Sequence, residues 1–313
     1  MSEDVRAVEH HLQTALGRVL FGMDEVIHGL SIALIARGHV LLEGPPGLGK
    51  TLLGKSFAAA LGGRFKRIQG TADLMPADIT GVHVFHPERG RFEFQPGPVF
   101  TDVLLVDEVN RAGPRTQSAL LEAMEERQVT VDRDSFPLPD DFLVIATQNP
   151  REFEGTYPLP ESQLDRFALS LRIDYPSRGD ELTILDRYNL PRAAEPADIP
   201  ALAPGAVGRA RAALEGVHVS AELTGYVLDL AAATRQSASI GLGLSTRGAL
   251  TLLRAARVEA ALRGGDYVIP DDVKRIAPWV IRHRLVMTPE AALEDVGPED
   301  VLARLLDDVA VPG

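Results

Sequence analysis

The chain has 313 residues, which is enough for one large and one small domain, each with its own hydrophobic core. Hydrophobic residues make up 45% of the sequence and charged residues 24%, shares that exclude a wholly disordered or fibrous protein. A formal net charge of −12 disfavours a general nucleic-acid binder, and the lack of cysteine excludes disulfides and thiolate metal sites. Because the first residues are acidic and no apolar run has the length of a membrane span, we expect a cytoplasmic protein without membrane insertion.

Two stretches near the amino terminus, residues 9–20 and 25–36, have apolar residues at helical spacing. Short apolar runs, typical of buried parallel strands, then alternate with helix-like segments. The predicted strands are residues 39–43, 65–68, 103–107, 142–146 and 169–173. This alternation predicts an α/β fold in which a five-stranded parallel sheet lies between layers of helices.

Two β-hairpins are predicted as inserts in this pattern, one at residues 82–94 and one at residues 129–136. In the first hairpin we place Val82 and Val84 opposite Phe92 and Phe94. Beyond a segment rich in Ala and Pro, the apolar spacing is helical throughout. We therefore predict an α/β core over residues 1–190 and a small all-helical domain over residues 191–313.

A phosphate-binding loop is predicted after the first strand, because residues 44–51 fit the pattern G-x-x-x-x-G-K-[ST]. The loop reads Gly44-Pro45-Pro46-Gly47-Leu48-Gly49-Lys50-Thr51. Its glycines allow backbone N–H groups to surround phosphate oxygens at the start of a helix. Lys50 would contact the β- and γ-phosphates, and the Thr51 hydroxyl would bind Mg²⁺. The position between a predicted strand and a predicted helix favours nucleotide binding over a structural glycine turn.

Polar side chains also follow two other predicted strands. Asp107 and Glu108 lie at the carboxyl end of residues 103–107, the edge where parallel sheets carry their chemistry. We expect Asp107 to hold Mg²⁺ and Glu108 to orient the attacking water, although an acidic strand end alone is often a solvated turn. Asn149 follows another strand, and its amide could hydrogen-bond both water and the γ-phosphate, whereas Asn-Pro alone usually marks a turn.

These motifs resemble the MoxR family of AAA+ ATPases. The resemblance extends through DEVNRA at 107–112, QSALLEAMEERQV at 117–129, ATQNP at 146–150 and GTYPLPESQLDRF at 155–167. It covers nearly the whole chain and implies an AAA+ αβα core followed by a helical lid domain. It also implies a homo-oligomeric ring, a hexamer when ATP is bound, in which ATP lies between subunits and is hydrolysed to ADP and phosphate with Mg²⁺.

The resemblance also implies roles for residues beyond the loop and the acid pair. Asn149 matches the family's sensor 1, Arg166 its arginine finger, and Arg247 its sensor 2. The local sequence agrees for Arg247, because Ser245 is a plausible N-cap and places this cation in a first helical turn, where it opposes the helix dipole. Without the family pattern, the sequence around Arg166 or Arg247 would indicate only an ordinary solvated cation.

The segment Leu20-Phe21-Gly22-Met23 resembles the family's segment beside the adenine, with Phe21 and Met23 departing from the more usual Val-Gly-Gln. We therefore expect Phe21 and Gly22, together with Leu52 after the loop, to contact the nucleotide. The two hairpins correspond to family inserts that point toward the ring pore in relatives. We assign no role to the charged residues at their tips.

The family resemblance implies a chaperone-like remodelling motor that acts with a separate partner bearing a von Willebrand factor A domain. The sequence does not identify the protein substrate. One alternative is a subunit of magnesium-chelatase type or a nucleic-acid-remodelling motor, although the acidic charge disfavours nucleic acid. A second is a nucleotide-dependent switch that does not hydrolyse ATP appreciably, and the presence of both Asp107 and Glu108 disfavours it.

Overall fold

The computed structural model describes residues 2–149, 155–189 and 198–312. Thirteen α-helices lie within these ranges. They are α1 Ser2–Leu16, α2 Asp24–Ile35, α3 Lys50–Leu61, α4 Pro76–Thr80, α5 Pro114–Glu126, α6 Glu161–Leu164, α7 Arg178–Tyr188, α8 Ala206–Ala213, α9 Ala221–Gln236, α10 Thr246–Leu262, α11 Pro270–Ile281, α12 Pro289–Leu293 and α13 Pro298–Asp308. Three short 3₁₀ helices accompany them at Val109–Arg111, Leu214–Gly216 and Arg282–Arg284.

Eleven β-strands lie in the same part of the chain. They are β1 Val40–Glu43, β2 Phe65–Gln69, β3 Gly81–His86, β4 Arg91–Pro96, β5 Val103–Asp107, β6 Gln128–Val131, β7 Asp134–Pro137, β8 Leu143–Gln148, β9 Leu169–Arg172, β10 Ile240–Leu242 and β11 Val286–Met287. Five of them form one parallel sheet in the order β2-β5-β8-β1-β9, which confirms the predicted sheet.

Alternate residues of the central strands enter two hydrophobic cores, one on each face of the sheet. Val40 and Leu42 of β1 pack in the larger core with α1, α2, α3 and the carboxy-terminal helices. Leu41 and the alternate positions of β5 and β8 pack in the smaller core with α5. A parallel sheet covered on both faces needs apolar residues at nearly every position, which explains why these strands read as unbroken apolar runs.

The two predicted hairpins form as β3–β4 and β6–β7, and they pack together. The rings of Phe94 and Phe136 stack with their centroids 4.0 Å apart. The predicted register of the first hairpin is wrong by one residue, because Val82 pairs with Gln95 and Phe92 pairs with Phe85. The turn occupies residues 87–90 and leaves residues 86 and 91 as the first pair, which fixes the rest of the register.

The carboxy-terminal part of the chain is mostly helical, as predicted, but it also contains a short antiparallel pair of strands, β10 and β11. The first of these strands has only three residues and was too short to recognise from its apolar pattern. Residues 190–197 lie outside the described residues, so the predicted domain boundary at residue 190 stays a prediction. Among the described helices, none combines the length and the apolar character that a membrane crossing requires.

Candidate functional site

The predicted phosphate loop connects the end of β1 to the start of α3, and its glycines allow conformations that other residues rarely take. Gly47 and Gly49 have φ angles of 85° and 74°. Gly44 is required by crowding, because a Cβ atom there would lie 2.3 Å from the carbonyl oxygen of Ile173. A Cβ atom on Gly47 would meet only open space. The loop therefore exposes its backbone to a space that a ligand can enter.

Lys50 is the first residue of α3, and Thr51 follows it in the first turn. The Nζ atom of Lys50 donates a hydrogen bond to the carbonyl oxygen of Gly44 over 2.5 Å. Burial lowers the pKa of Lys50, while the nearby carboxylates of Asp107 and Glu108 oppose that shift. An ammonium group thus lies inside the loop, next to the N-terminal amides of a helix, and this arrangement attracts anions.

The acid pair is held by side chains from both strands that flank β5. The Oδ2 atom of Asp107 accepts a hydrogen bond from Nε of Arg67 over 2.6 Å, and its Oδ1 atom accepts one from Oγ1 of Thr147 over 3.3 Å. The Oε2 atom of Glu108 accepts a hydrogen bond from Nε2 of Gln69 over 3.0 Å. Arg67 and Gln69 lie on β2 and Thr147 lies on β8, so neighbouring strands fix the orientation of both carboxylates.

The backbone at Glu108 is strained, with φ and ψ both at 54° in the left-handed region. For a residue with a Cβ atom this conformation costs about 1–2 kcal/mol. Two hydrogen bonds hold it, one from its N–H to Oγ1 of Thr147 and one to its carbonyl from the N–H of Arg111, both of 2.9 Å. Gly70 passes so close that a Cβ atom there would lie 2.1 Å from the carbonyl oxygen of Glu108. Strain of this kind concentrates at functional sites.

A polar cavity of about 240 Å³ brings the predicted phosphate and metal residues together at the carboxyl edge of the sheet. Its lining includes the hydroxyl-bearing Thr51 and the carboxylate of Asp107, oxygen donors of the kind that Mg²⁺ takes together with water and phosphate. The predicted residues that line it are Gly44, Pro46, Gly47, Gly49, Lys50, Thr51, Asp107, Glu108 and Asn149. Pro45 lines a neighbouring cavity of about 490 Å³, which Asn149 also borders.

A second cavity, of about 500 Å³ and mainly apolar, adjoins the polar one, because Gly47 and Gly49 line both. The predicted residues Phe21, Leu48 and Leu52 line it. An apolar cavity next to a phosphate site has the character expected for a purine base. The sequence did not indicate its other wall, which includes Tyr175, Pro176, Ile184, Leu185 and Tyr188 from α7 and the segment before it.

Helix α7 is fastened to the predicted adenine segment. The hydroxyl of Tyr188 donates a hydrogen bond to the carbonyl oxygen of Val19 over 2.9 Å, and the guanidinium of Arg187 lies 5.6 Å from the centre of the Phe21 ring. Gly22 has a φ angle of 69° and lies against Asp180, whose Oδ2 atom would be 3.0 Å from a Cβ atom on Gly22. Gly22 therefore shapes the turn beside the base cavity.

Arg166 and Arg247 lie far from the phosphate loop of their own chain. The N–H of Ala168, two residues after Arg166, donates a hydrogen bond to the carbonyl oxygen of His39, which precedes β1. The loop follows the other end of β1, and four strand residues span roughly 13 Å. Both arginines line a separate cavity of about 610 Å³ at this amino edge, together with Gly38 and His39.

One carboxylate holds both arginines. The Oε2 atom of Glu125 lies 2.9 Å from Nε of Arg166, and its Oε1 atom lies 3.1 Å from Nη1 of Arg247. Ser245 caps α10 as predicted, since its Oγ atom accepts a hydrogen bond from the N–H of Gly248 over 2.9 Å. The structure thus divides the predicted site residues into two groups at opposite edges of one sheet.

Comparison with protein families gives two matches. A model of the ATPase family associated with various cellular activities (AAA) matches residues 39–169. A model of the AAA lid domain matches residues 232–305. The first match contains the loop, the acid pair, Asn149 and Arg166, and the second contains Arg247.

Individual relatives match nearly the whole chain. The Bacillus subtilis protein YeaC is 43% identical over 98% of this chain and 94% of its own length. The chaperone MoxR1 of Mycobacterium tuberculosis is 41% identical over 99% of this chain and 85% of its own length. A crystal structure of a candidate ATPase from Cytophaga hutchinsonii superposes with a TM-score of 0.91 at 35% identity and covers 99% of this chain and 98% of that one.

Proposed function

The chain belongs to the MoxR family of AAA+ ATPases and hydrolyses ATP, and on this premise we propose that two subunits build each ATP site and that hydrolysis drives chaperone-like remodelling. AAA+ proteins generally form oligomeric rings, in which one edge of each subunit faces its neighbour. The division of the site residues between two edges of the sheet is the observation that carries the proposal.

The carboxyl edge supplies the half that binds and cleaves ATP. The loop amides and Lys50 hold the phosphates, Thr51 and Asp107 hold Mg²⁺, and the apolar cavity beside Phe21 takes the adenine. When bound, Mg²⁺ neutralises charge on the phosphate oxygens. Glu108 orients and polarises the attacking water, and Asn149 contacts water and the γ-phosphate. Because phosphoryl transfer depends mainly on positioning and charge, these residues can bind ATP without completing its hydrolysis.

The amino edge supplies two further cations. Arg166 and Arg247 have side chains 30% and 44% exposed, so both are accessible to a neighbouring subunit. A planar, always charged guanidinium suits the charge that develops on the γ-phosphate. Glu125 holds both arginines in the isolated chain and releases them when they meet phosphate. Both residues therefore act on the ATP of the adjacent subunit.

A test mixes two inactive variants. Arg166→Ala subunits keep an intact loop, whereas Glu108→Gln subunits keep intact arginines. In a random one-to-one ring about a quarter of the interfaces combine two intact halves, so phosphate release should return to a readily measured fraction of the wild-type rate. If native mass spectrometry confirms mixed rings and phosphate release stays at the background level, the two-subunit site is wrong.

The remodelling part of the proposal rests on family membership, since the alignment with a MoxR-named chaperone covers 99% of the present chain. We propose a separate partner with a von Willebrand factor A domain and a hexameric ring in the ATP state, located in the cytoplasm. Affinity capture with Glu108→Gln in ATP should recover such a partner, whereas the same capture with Lys50→Ala should not. Recovery of no such protein in ATP removes the support for the partner.

A further inference from the structure

Two arginines of the 3₁₀ helix Arg282–Arg284 connect the two edges of the sheet. Their side chains are 9% and 3% exposed, so both charges are buried. A buried guanidinium is costly unless carboxylates and hydrogen-bond acceptors surround it, and its partners therefore define what it holds in place. The sequence pattern singled out neither residue.

Arg282 reaches the carboxyl edge. Its Nη2 atom donates a hydrogen bond to Oε2 of Glu43 over 2.7 Å. Glu43 ends β1 and directly precedes Gly44 of the phosphate loop. The other oxygen of Glu43 accepts a hydrogen bond from Nε2 of Gln148 over 2.8 Å, and Gln148 directly precedes Asn149. Arg282 is therefore tied to both strand ends that lead into the nucleotide site.

Arg284 reaches the amino edge. Its Nε atom donates a hydrogen bond to Oδ1 of Asp165 over 2.6 Å. The Oδ2 atom of Asp165 accepts a second hydrogen bond from Oγ of Ser245 over 2.9 Å. Asp165 directly precedes Arg166, and Ser245 caps the helix whose second residue is Arg247. Arg284 thus holds the chain beside Arg166 directly, and it is connected to the start of the Arg247 helix through Asp165.

The segment between the two arginines is tightly packed. His283 is half-buried, and desolvation together with the charge of Arg284 holds its pKa well below its usual range, so the ring stays neutral. Gly248 leaves room for the stem of Arg284, because a Cβ atom there would lie 3.0 Å from Cδ of that arginine. The close packing leaves this segment little room to change at one end without a change at the other.

We propose that Arg282 and Arg284 form a bridge through which phosphate binding at a subunit's own loop positions Arg166 and Arg247 for the ATP of its neighbour. The proposal rests on the two-subunit site argued above. In the present structure one N–H of the Lys50 ammonium bonds to the carbonyl oxygen of Gly44, and phosphate binding engages its remaining N–H donors. This change occurs next to Glu43, to which the bridge is attached.

Mixed rings isolate this coupling. Arg166→Ala subunits serve as the reporter, because their loops hydrolyse ATP only against the arginines of a different subunit. They are mixed either with Glu108→Gln subunits, whose own loops hold ATP, or with Lys50→Ala subunits, whose own loops stay empty. Both mixing partners offer intact arginines, so the two rates of phosphate release differ only through the occupancy of the partner's own loop.

We expect Glu108→Gln subunits, whose loops hold ATP, to support phosphate release at least about fivefold faster than Lys50→Ala subunits, whose loops are empty. Fivefold is the lower range of measured couplings between sites.

Adding Arg282→Lys to both of these mixing partners should bring this ratio close to one. Nη2 of Arg282 donates to both Glu43 and Ser170, the latter at 2.9 Å, while its Nε lies 3.6 Å from Oε1 of Glu299. Lysine keeps the charge but has only one nitrogen and cannot make both sets of contacts. Arg284→Lys is the second variant, and Arg304→Lys, an exposed arginine on α13, is the matched control that should leave the ratio unchanged.

The outcomes separate the two proposals. If neither mixture releases phosphate, the two-subunit site itself is wrong. If both mixtures release it equally fast, the two-subunit site stands and the bridge is overturned. A fivefold ratio that survives both Arg282→Lys and Arg284→Lys also overturns the bridge, because the coupling then follows another route. Native mass spectrometry of each mixture checks that ring assembly is the same throughout.

Discussion

The two edges of the central sheet carry different charged side chains and differ in how those side chains are held. At the carboxyl edge, the Asp107 and Glu108 carboxylates are each bonded to side chains of a neighbouring strand. At the amino edge, Arg166 and Arg247 share the single carboxylate of Glu125, which leaves a net positive charge. In the proposed two-subunit site, the carboxyl edge is therefore organised within one subunit, whereas the amino edge is organised for a second one.

The largest expected effects concern the carboxyl edge. Lys50→Ala should abolish both ATP binding and phosphate release, because Lys50 is the single cationic residue within the phosphate-binding loop, residues 44–51. Glu108→Gln should lower kcat about 10²–10⁴-fold and still bind ATP, since it removes only the group that polarises water. Lys55→Ala, an exposed lysine on the same helix, is the control and should be unaffected. Binding of a fluorescent ATP analogue and phosphate release measure the two steps, and undiminished turnover in either variant would contradict the assigned role.

The next effects separate the edges. Arg166→Ala and Arg247→Ala should lower kcat about 10³-fold or more, as loss of an arginine finger does, and leave ATP affinity within about twofold. The affinity is preserved because neither side chain contacts the loop of its own chain. Arg254→Ala, on the same helix and lining the same cavity, should change kcat only slightly. A loss of ATP affinity as large as the loss of kcat would place these arginines in their own subunit's site and would remove the contrast between the edges.

A smaller effect is expected in the apolar cavity. Phe21→Ala should raise the KM for ATP roughly 5–20-fold, the consequence of losing one aromatic side chain beside a base. The value of kcat should change little, because the cavity lies away from the phosphates. Phe92→Ala, an exposed aromatic on the β3–β4 hairpin, should leave both values unchanged. Steady-state kinetics with ATP decides the point, and an unchanged KM in Phe21→Ala would rule out adenine packing there.

The smallest effect concerns the attachment of α10, which carries Arg247, to the amino-terminal helices. His28 on α2 bonds to Glu9 and, over 2.8 Å, to Oε2 of Glu259 on α10. Burial alone would lower the pKa of His28, but hydrogen bonds and charge from Glu259 and Glu9 outweigh it and raise the pKa to about 9.

Because the folded-state pKa of His28 is raised, its contribution to stability is complete below about pH 6.5 and is lost as the pH rises through 9. His28→Gln should therefore be less stable than the parent by about 1–3 kcal/mol at pH 6.5, and this difference should shrink by pH 10. Thermal melts of both proteins between pH 6 and pH 10 check it. A difference that does not change with pH would mean that His28 is not charged in the fold.

The phosphate loop and the acid pair of the carboxyl edge could each be predicted from the sequence, because each is a run of adjacent residues. The loop is eight consecutive residues and the acid pair ends a strand, so the local pattern already defines the chemistry. The residues that orient the pair could not be predicted in this way. Arg67, Gln69 and Thr147 are ordinary polar residues of β2 and β8, and their contact with the acid pair depends on the strand order β2-β5-β8, which the sequence does not state.

The two arginines of the amino edge were predicted only through the family resemblance, and the contacts that join them were not predicted at all. Glu125, which joins Arg166 to Arg247, lies 41 and 122 positions from them in a helix rich in glutamate, so nothing local marks it. The same holds for the bridge of Arg282 and Arg284, whose carboxylate partners lie more than a hundred residues earlier. Long-range pairs of buried charges require the packed structure, because apolar spacing predicts elements and not their partners.

The proposal that each ATP site combines the carboxyl edge of one subunit with the amino edge of its neighbour is tested most directly by turnover per subunit as a function of protein concentration. Phosphate release is measured at saturating ATP while mass photometry gives the fraction of assembled subunits in the same samples. The two-subunit site predicts that turnover per subunit rises with the assembled fraction and approaches zero in the monomer. Full turnover in samples that contain only monomers would contradict it.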